Sequence, residues 1–148
     1  MTQFSEHFSL AELTVTNTGL DNTPDAEEEA RLSTLAVFME KVRTILGNHP
    51  ITVNSAFRSE AVNEAVGGVA DSAHRLAYAC DFTCPGFGTP LMIAERLDTA
   101  QKHGAIAFDQ LIYEVTWVHI SRDPQLREER LTHPTAGGYL DGIQSNAS

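Results

Sequence analysis

Between residues 24 and 46 the apolar positions Leu32, Leu35, Met39, Val42 and Leu46 recur at steps of three and four, with Phe38 and Ile45 widening the stripe. That spacing puts them on one side of a helix. Thr23 can cap it, Pro24 suits its first turn, and Asp25, Glu27, Glu28 and Glu29 complement the positive end of the dipole. Gly47 and Asn48 end the helix, and Pro50 prevents its resumption. Upstream, "FSLAEL" predicts a short helical turn capped by Ser9, followed by a polar loop. The period then changes: "ITVNSAF" (51–57) alternates and is β-branched, as a strand requires. "SEAVNEAV" predicts a short helix closed by Gly67 and Gly68, "AYACDFT" a strand, and "PLMIAERLDTAQKHG" an amphipathic helix stopped by Gly104. "FDQLIYE" and "TWVHIS" predict two strands joined by a tight turn around Val115. After Asp123-Pro124 a short helix is expected, and "HPTAGGYLDGIQSNAS" reads as a loose, frayed tail. Adjacent strands mixed with helices predict an α+β fold, a small antiparallel sheet backed by helices.

The length of 148 residues suits a single domain over 1–148, with 1–24 as a lead-in and 122–148 as a C-terminal extension. A net charge of −10 opposes binding to nucleic acid phosphates and to anionic membrane surfaces. No apolar run approaches the roughly 18 residues a membrane span requires. The start, "MTQFSEHFSLAEL", lacks the basic and apolar regions of a signal peptide, so synthesis in the cytoplasm is expected. Action outside the cell would then depend on release or export by another factor. Two cysteines cannot build a disulfide framework.

Strand alternation locates the candidate chemistry. In "AYACDFT", Ala77, Ala79, Asp81 and Thr83 share one face, while Tyr78, Cys80 and Phe82 share the other. In "TWVHIS", Trp117, His119 and Ser121 share a face. Asp81 and His119 can therefore stand on the same side of one sheet, and His74, just before its strand, can bend in over them. Two imidazoles and a carboxylate around an open position are the ligand set of a catalytic zinc. A hydrogen-bonded histidine beside a solvated aspartate would leave the same pattern. Cys80, turned away from Asp81, reads as a buried thiol. His7, His49, His103 and His133 lie at predicted element ends and read as polar surface residues.

These residues carry a family resemblance. "SAHRLAYACDF" resembles the S-x-H-x-x-G-x-A-x-D signature of the zinc D-alanyl-D-alanine carboxypeptidases and hedgehog-like peptidases that cut peptidoglycan. "ITVNSAFRSEAVNEAVGG" looks like the segment that precedes it, often "SGYRS…N…GG", and "FDQLIYEVTWVHIS" looks like the closing segment with the last histidine. The three blocks keep their order and spacing over residues 8 to 121, and the subset they most resemble is found in bacteriophage lysis and tail proteins.

The resemblance implies a DD-peptidase-like fold, one Zn2+ held by His74, Asp81 and His119, and Ser72 as the motif serine. It makes Arg58 the arginine that contacts the substrate. Trp117, by alternation on the face of His119, can line the cleft wall or serve in packing. Many relatives place an acidic or histidine base three residues before the final ligand, where this chain has Thr116; Glu114, five residues before His119, is the nearest acid and matches the hedgehog-like arrangement. The signature glycine is Ala77, a change that needs only room for a methyl unless the backbone requires positive φ. The implied activity is a zinc-dependent peptidase acting on peptidoglycan peptides as a monomeric, phage-type lytic enzyme, with Glu114 taking the proton from water and delivering it to the leaving amine. The other reading is a non-catalytic module of the same fold that binds cell wall or serves as a virion part.

Overall fold

Ser9 opens the first helix, α1 (Leu10–Leu13), with a capping box: its hydroxyl accepts from the Glu12 N–H, and the Glu12 carboxylate accepts from the Ser9 N–H. The structure, a computed structural model, describes residues 2–147. Helix α2 (Ala26–Ile45) starts two residues later than the Thr23 cap predicts. Asp25 caps it, accepting from the Glu28 N–H at 2.8 Å while Glu28 accepts from the Asp25 N–H at 2.9 Å. Reciprocal bonds satisfy two orphan donors where a threonine hydroxyl satisfies one, and Thr23 is already committed to Asp21.

The strands β1 (Thr52–Ser55), β2 (Ala79–Thr83), β3 (Gln110–Tyr113), β4 (Val118–Ser121), β5 (Glu129–Thr132) and β6 (Leu140–Asp141) form one sheet in the order β1-β2-β4-β3-β5-β6. The first four of that order pair antiparallel, as the strand signals predict. Two helices shorter than α2 complete the chain: α3 (Glu60–Ala65), capped by Ser59, and α4 (Pro90–Lys102), capped by Thr89. Leu32, Leu35, Met39 and Val42 of α2 pack with Ile93 and Leu97 of α4 against Phe82, Leu111 and Ile120, and this core backs the sheet. Among the described residues no helix is long and apolar enough to cross a membrane.

The C-terminal segment departs from the expected short helix and frayed tail. β5 pairs parallel with β3, and β6 pairs antiparallel with β5, so the sheet is mixed. The β3–β4 hairpin leaves one edge of β3 with unpaired N–H and C=O groups, and β5 satisfies them. Asp109 fixes the crossing: its buried carboxylate accepts from the Arg127 N–H and Nε at 2.9 Å and from the guanidinium at 2.8 Å. Those bonds hold the Asp109 carboxyl below the usual carboxylate range. Beyond β5, Thr132 donates to the Gly142 carbonyl and accepts from the Gln144 N–H, tying the tail back onto the strand.

Three loops are drawn together around the sheet's other face. Asn22, in the segment read only as a polar loop, donates to the carbonyls of Thr14 and Phe57 and accepts from the Ser59 N–H. It thereby clamps the backbone on both sides of Arg58. After α3, the Asn63 amide donates to the Val69 carbonyl. A Cβ on Gly68 would stand 2.0 Å from Asn63 Oδ1, so a side chain there would displace the buried Asn63 amide. The N…GG part of the resemblance thus has a packing reason.

Candidate metal centre

The register sets the site. Asp81 lies opposite Ser55 on one side and His119 on the other, and His119 lies opposite Ile112. One residue from each of four neighbouring strands therefore stands in a row on the same face, as alternation predicts for Asp81 and His119. His74 arrives from the loop before β2, which is strapped down where the Arg58 N–H donates to the His74 carbonyl at 3.1 Å. The Ser72 hydroxyl accepts from the His74 N–H at 3.2 Å, so Ser72 shapes this loop.

Asp81 Oδ1 is 3.1 Å from His74 Nε2 and 2.9 Å from His119 Nδ1, and all three residues are buried. One ligand atom from each lies within 4.8 Å of the others. Ligand pairs on a four-coordinate zinc with bonds of about 2.0–2.1 Å stand roughly 3.3 Å apart, so the cluster has the right size. The hydrogen bonding argues in the same direction. His74 Nδ1 is 2.7 Å from the Ala56 carbonyl, which can only accept, so Nδ1 carries the proton. In the neutral ring Nε2 then presents a lone pair to a carboxylate oxygen that is also an acceptor. A proton or a metal cation must therefore lie between Nε2 and Asp81 Oδ1, and a backbone carbonyl on the far nitrogen is the usual orienting partner of a metal-bound histidine. On the His119 side, Nε2 is buried without a hydrogen-bond partner, while Nδ1 faces the same oxygen.

Burial alone would raise the Asp81 carboxyl, but the charges and hydrogen bonds of His74 and His119 outweigh it and hold it well below the usual carboxylate range. Asp81 is thus ionised, as a ligand must be. Arg58 adds a guanidinium nitrogen 3.7 Å from Asp81 Oδ2, while its Nε donates to Ser55 at 3.2 Å. Cys80 lies in the core on the opposite face, where burial pushes its thiol up. Cys84 is buried too, and neither cysteine joins the cluster.

Glu114 follows β3 at the mouth of a cavity of about 300 Å³ lined also by Thr116, Trp117, His133 and Thr135. The Trp117 indole N–H donates to Glu114 Oε2 at 3.2 Å, and His133 Nδ1 stands 3.4 Å from Oε1. The hairpin that carries Glu114 turns through Val115 at φ 66°, a left-handed conformation in which a β-branched residue is strained. His133, read from the sequence as a surface residue, is therefore part of this cleft. Periodicity could not reveal it, because only the parallel pairing of β5 with β3 brings it beside Glu114.

Comparison with known proteins agrees with this arrangement. The family model described as Peptidase M15 matches residues 6–121. The chain belongs to the peptidase M15 family. Over 77 residues it is 34% identical to the zinc D-Ala-D-Ala carboxypeptidase of Streptomyces albus G, a stretch covering 51% of this chain and 30% of that relative. The M15 match ends at Ser121, so β5, β6 and His133 lie beyond it.

Ala77, at the position of the family's signature glycine, is fully buried at φ 64°. The backbone therefore does require positive φ, and the alanine carries the strain that glycine avoids. Ala77→Gly is expected to stabilise the protein by about 1 kcal/mol, reduced by the greater freedom glycine gives the unfolded chain. The midpoint of urea unfolding measures this, and a lower midpoint for the glycine variant would show that packing of the methyl outweighs the strain.

Proposed function

We propose that this protein is a zinc-dependent peptidase that hydrolyses peptide bonds of bacterial peptidoglycan, in the stem peptide or the cross-bridge, as a phage-type lytic enzyme. The observation that carries the reading is the convergence of His74 Nε2, Asp81 Oδ1 and His119 Nδ1 in one buried cluster. Membership of the peptidase M15 family and the partial match to a zinc D-Ala-D-Ala carboxypeptidase support it. Zinc bound by these residues supplies Lewis acidity and lowers the pKa of a water molecule. Glu114 accepts the proton of the attacking water and returns it to the amine as the amide C–N bond breaks. The Trp117 indole N–H on Oε2, with His133 Nδ1 3.4 Å from Oε1, keeps the carboxylate oriented for that exchange. Arg58, anchored by Ser55 and Asp81, has further N–H groups with which to hold a substrate carboxylate. Ser72 contributes by shaping the His74 loop, and Trp117 by walling the cleft beside Glu114. The enzyme acts as a monomer on the wall, reaching it after release by another factor.

Digestion of purified peptidoglycan tests the reading. Loss of turbidity is expected with zinc, none after chelation, and recovery when zinc is restored. Mass spectrometry of the released fragments then distinguishes L-alanyl–D-glutamate, D-alanyl–D-alanine and D-alanyl–diaminopimelate cleavage. A protein that binds zinc and releases no fragment would overturn the proposal.

A further inference from the structure

The segment that follows the family-matched residues does more than extend the sheet. β5 runs parallel to β3 in the register Tyr113↔Thr132, and the His133 N–H donates to the Tyr113 carbonyl at 2.8 Å. The next residues along the two strands are Glu114 and His133, so the ladder itself sets their side chains next to each other. His133 Nδ1 reaches 3.4 Å from Glu114 Oε1, the oxygen that Trp117 leaves free. On its other side the His133 ring packs against Tyr139, ring centres 4.6 Å apart, just before β6. Tyr139 feels the negative charge of Glu114 and Asp81: partial burial and these two carboxylates push its phenol up. The C-terminal segment therefore lines the cleft of Glu114.

We infer that His133 is a positioning residue for Glu114, supplied by the chain beyond the family match, and that with Trp117 it fixes the carboxylate in one orientation. The inference rests on the reading of Glu114 as the proton acceptor. A donor on one oxygen and an imidazole nitrogen set against the other restrict a carboxylate's plane, whereas one donor alone leaves it free to rotate. Precise placement of an acid–base group is where much of its effect is gained or lost.

The chain contains one tryptophan, and that tryptophan donates to Glu114. Trp117 emission therefore reports on the carboxylate without any catalysis. The experiment compares the full chain with His133→Ala, His133→Gln and Glu114→Ala, and adds the double variant His133→Ala/Glu114→Ala. In zinc-free protein, His133→Ala is expected to shift Trp117 emission, His133→Gln to restore it by keeping a donor, and His133→Ala to add nothing once Glu114 is gone. With zinc and peptidoglycan fragments, His133→Ala should lower kcat about 10- to 100-fold with KM and zinc stoichiometry unchanged, and His133→Gln should regain most of it, the range set by orienting partners one contact removed. Equal emission in the parent, His133→Ala and His133→Gln would overturn the inference, as would a kcat that His133→Ala leaves intact. A parent that binds zinc but cuts nothing, while its emission responds as described, sinks the proposed activity and leaves the Glu114–His133 contact established.

Discussion

Asp81→Asn is expected to abolish tight zinc binding. The parent should bind one zinc per chain, and saturating zinc at 100 to 1,000 times the dissociation constant stabilises the folded state by about 3–4 kcal/mol. For a chain of this size that raises Tm by roughly 10 °C. Asp81 is the centre of the cluster, since its Oδ1 faces both imidazoles and its charge is the only negative one among the three ligands. An amide of the same shape keeps the packing but gives up that charge and brings in an N–H₂, which has no lone pair to offer a metal. Affinity should fall by about three orders of magnitude, more than the 10- to 100-fold typical of losing a partner one contact removed. The zinc-induced rise in Tm should vanish with it. Calorimetric titration and thermal melts measure both, and a variant that keeps the parent's zinc-induced shift would show that the metal sits elsewhere.

The parts of this site legible in the sequence were those governed by short-range rules. Strand alternation alone put Asp81 and His119 on one face, and the register then set them directly opposite each other. Ser9 as a cap, the apolar stripe of α2 and the turn at Val115 followed from local chemistry in the same way. What local rules left open was decided by pairing at a distance. Nothing near residue 133 signals its parallel neighbour at Glu114, because the partner strand lies nearly twenty residues upstream. The frayed appearance of "HPTAGGYLDGIQSNAS" comes from its glycines and small residues, yet Thr132 and the Asp109–Arg127 pair anchor it to the sheet. Asn22 was equally silent, since a polar residue in a polar loop carries no mark of the carbonyls it binds. The alanine at position 77 was different: its departure from the family pattern was visible, and only the backbone angle turned it into strain.

Glu114→Gln is the change expected to cost most activity while leaving the metal centre whole. Glutamine keeps a carbonyl oxygen for the Trp117 indole N–H, so the cleft wall should survive. It cannot accept and return a proton, so hydrolysis of peptidoglycan fragments should fall by about 10²- to 10⁴-fold, the range for losing a positioned acid–base group. Zinc stoichiometry and the zinc-induced rise in Tm should stay at the parent's values, because Glu114 is outside the His74–Asp81–His119 cluster. Thr116→Ala provides the contrast. Thr116 occupies the position where many relatives carry the base, yet a hydroxyl three residues before His119 has no proton-accepting capacity near neutral pH. Its removal should leave the rate within about twofold, far below the loss expected for a group that transfers the proton. If Glu114→Gln retains the parent rate, the proton is carried by another group. If Glu114→Gln loses zinc, the carboxylate is acting as a ligand and the division between metal centre and base fails. Only a large loss of rate at full zinc occupancy, with Thr116→Ala unaffected, assigns the proton transfer to the one acid that β3, Trp117 and His133 hold at the edge of the site.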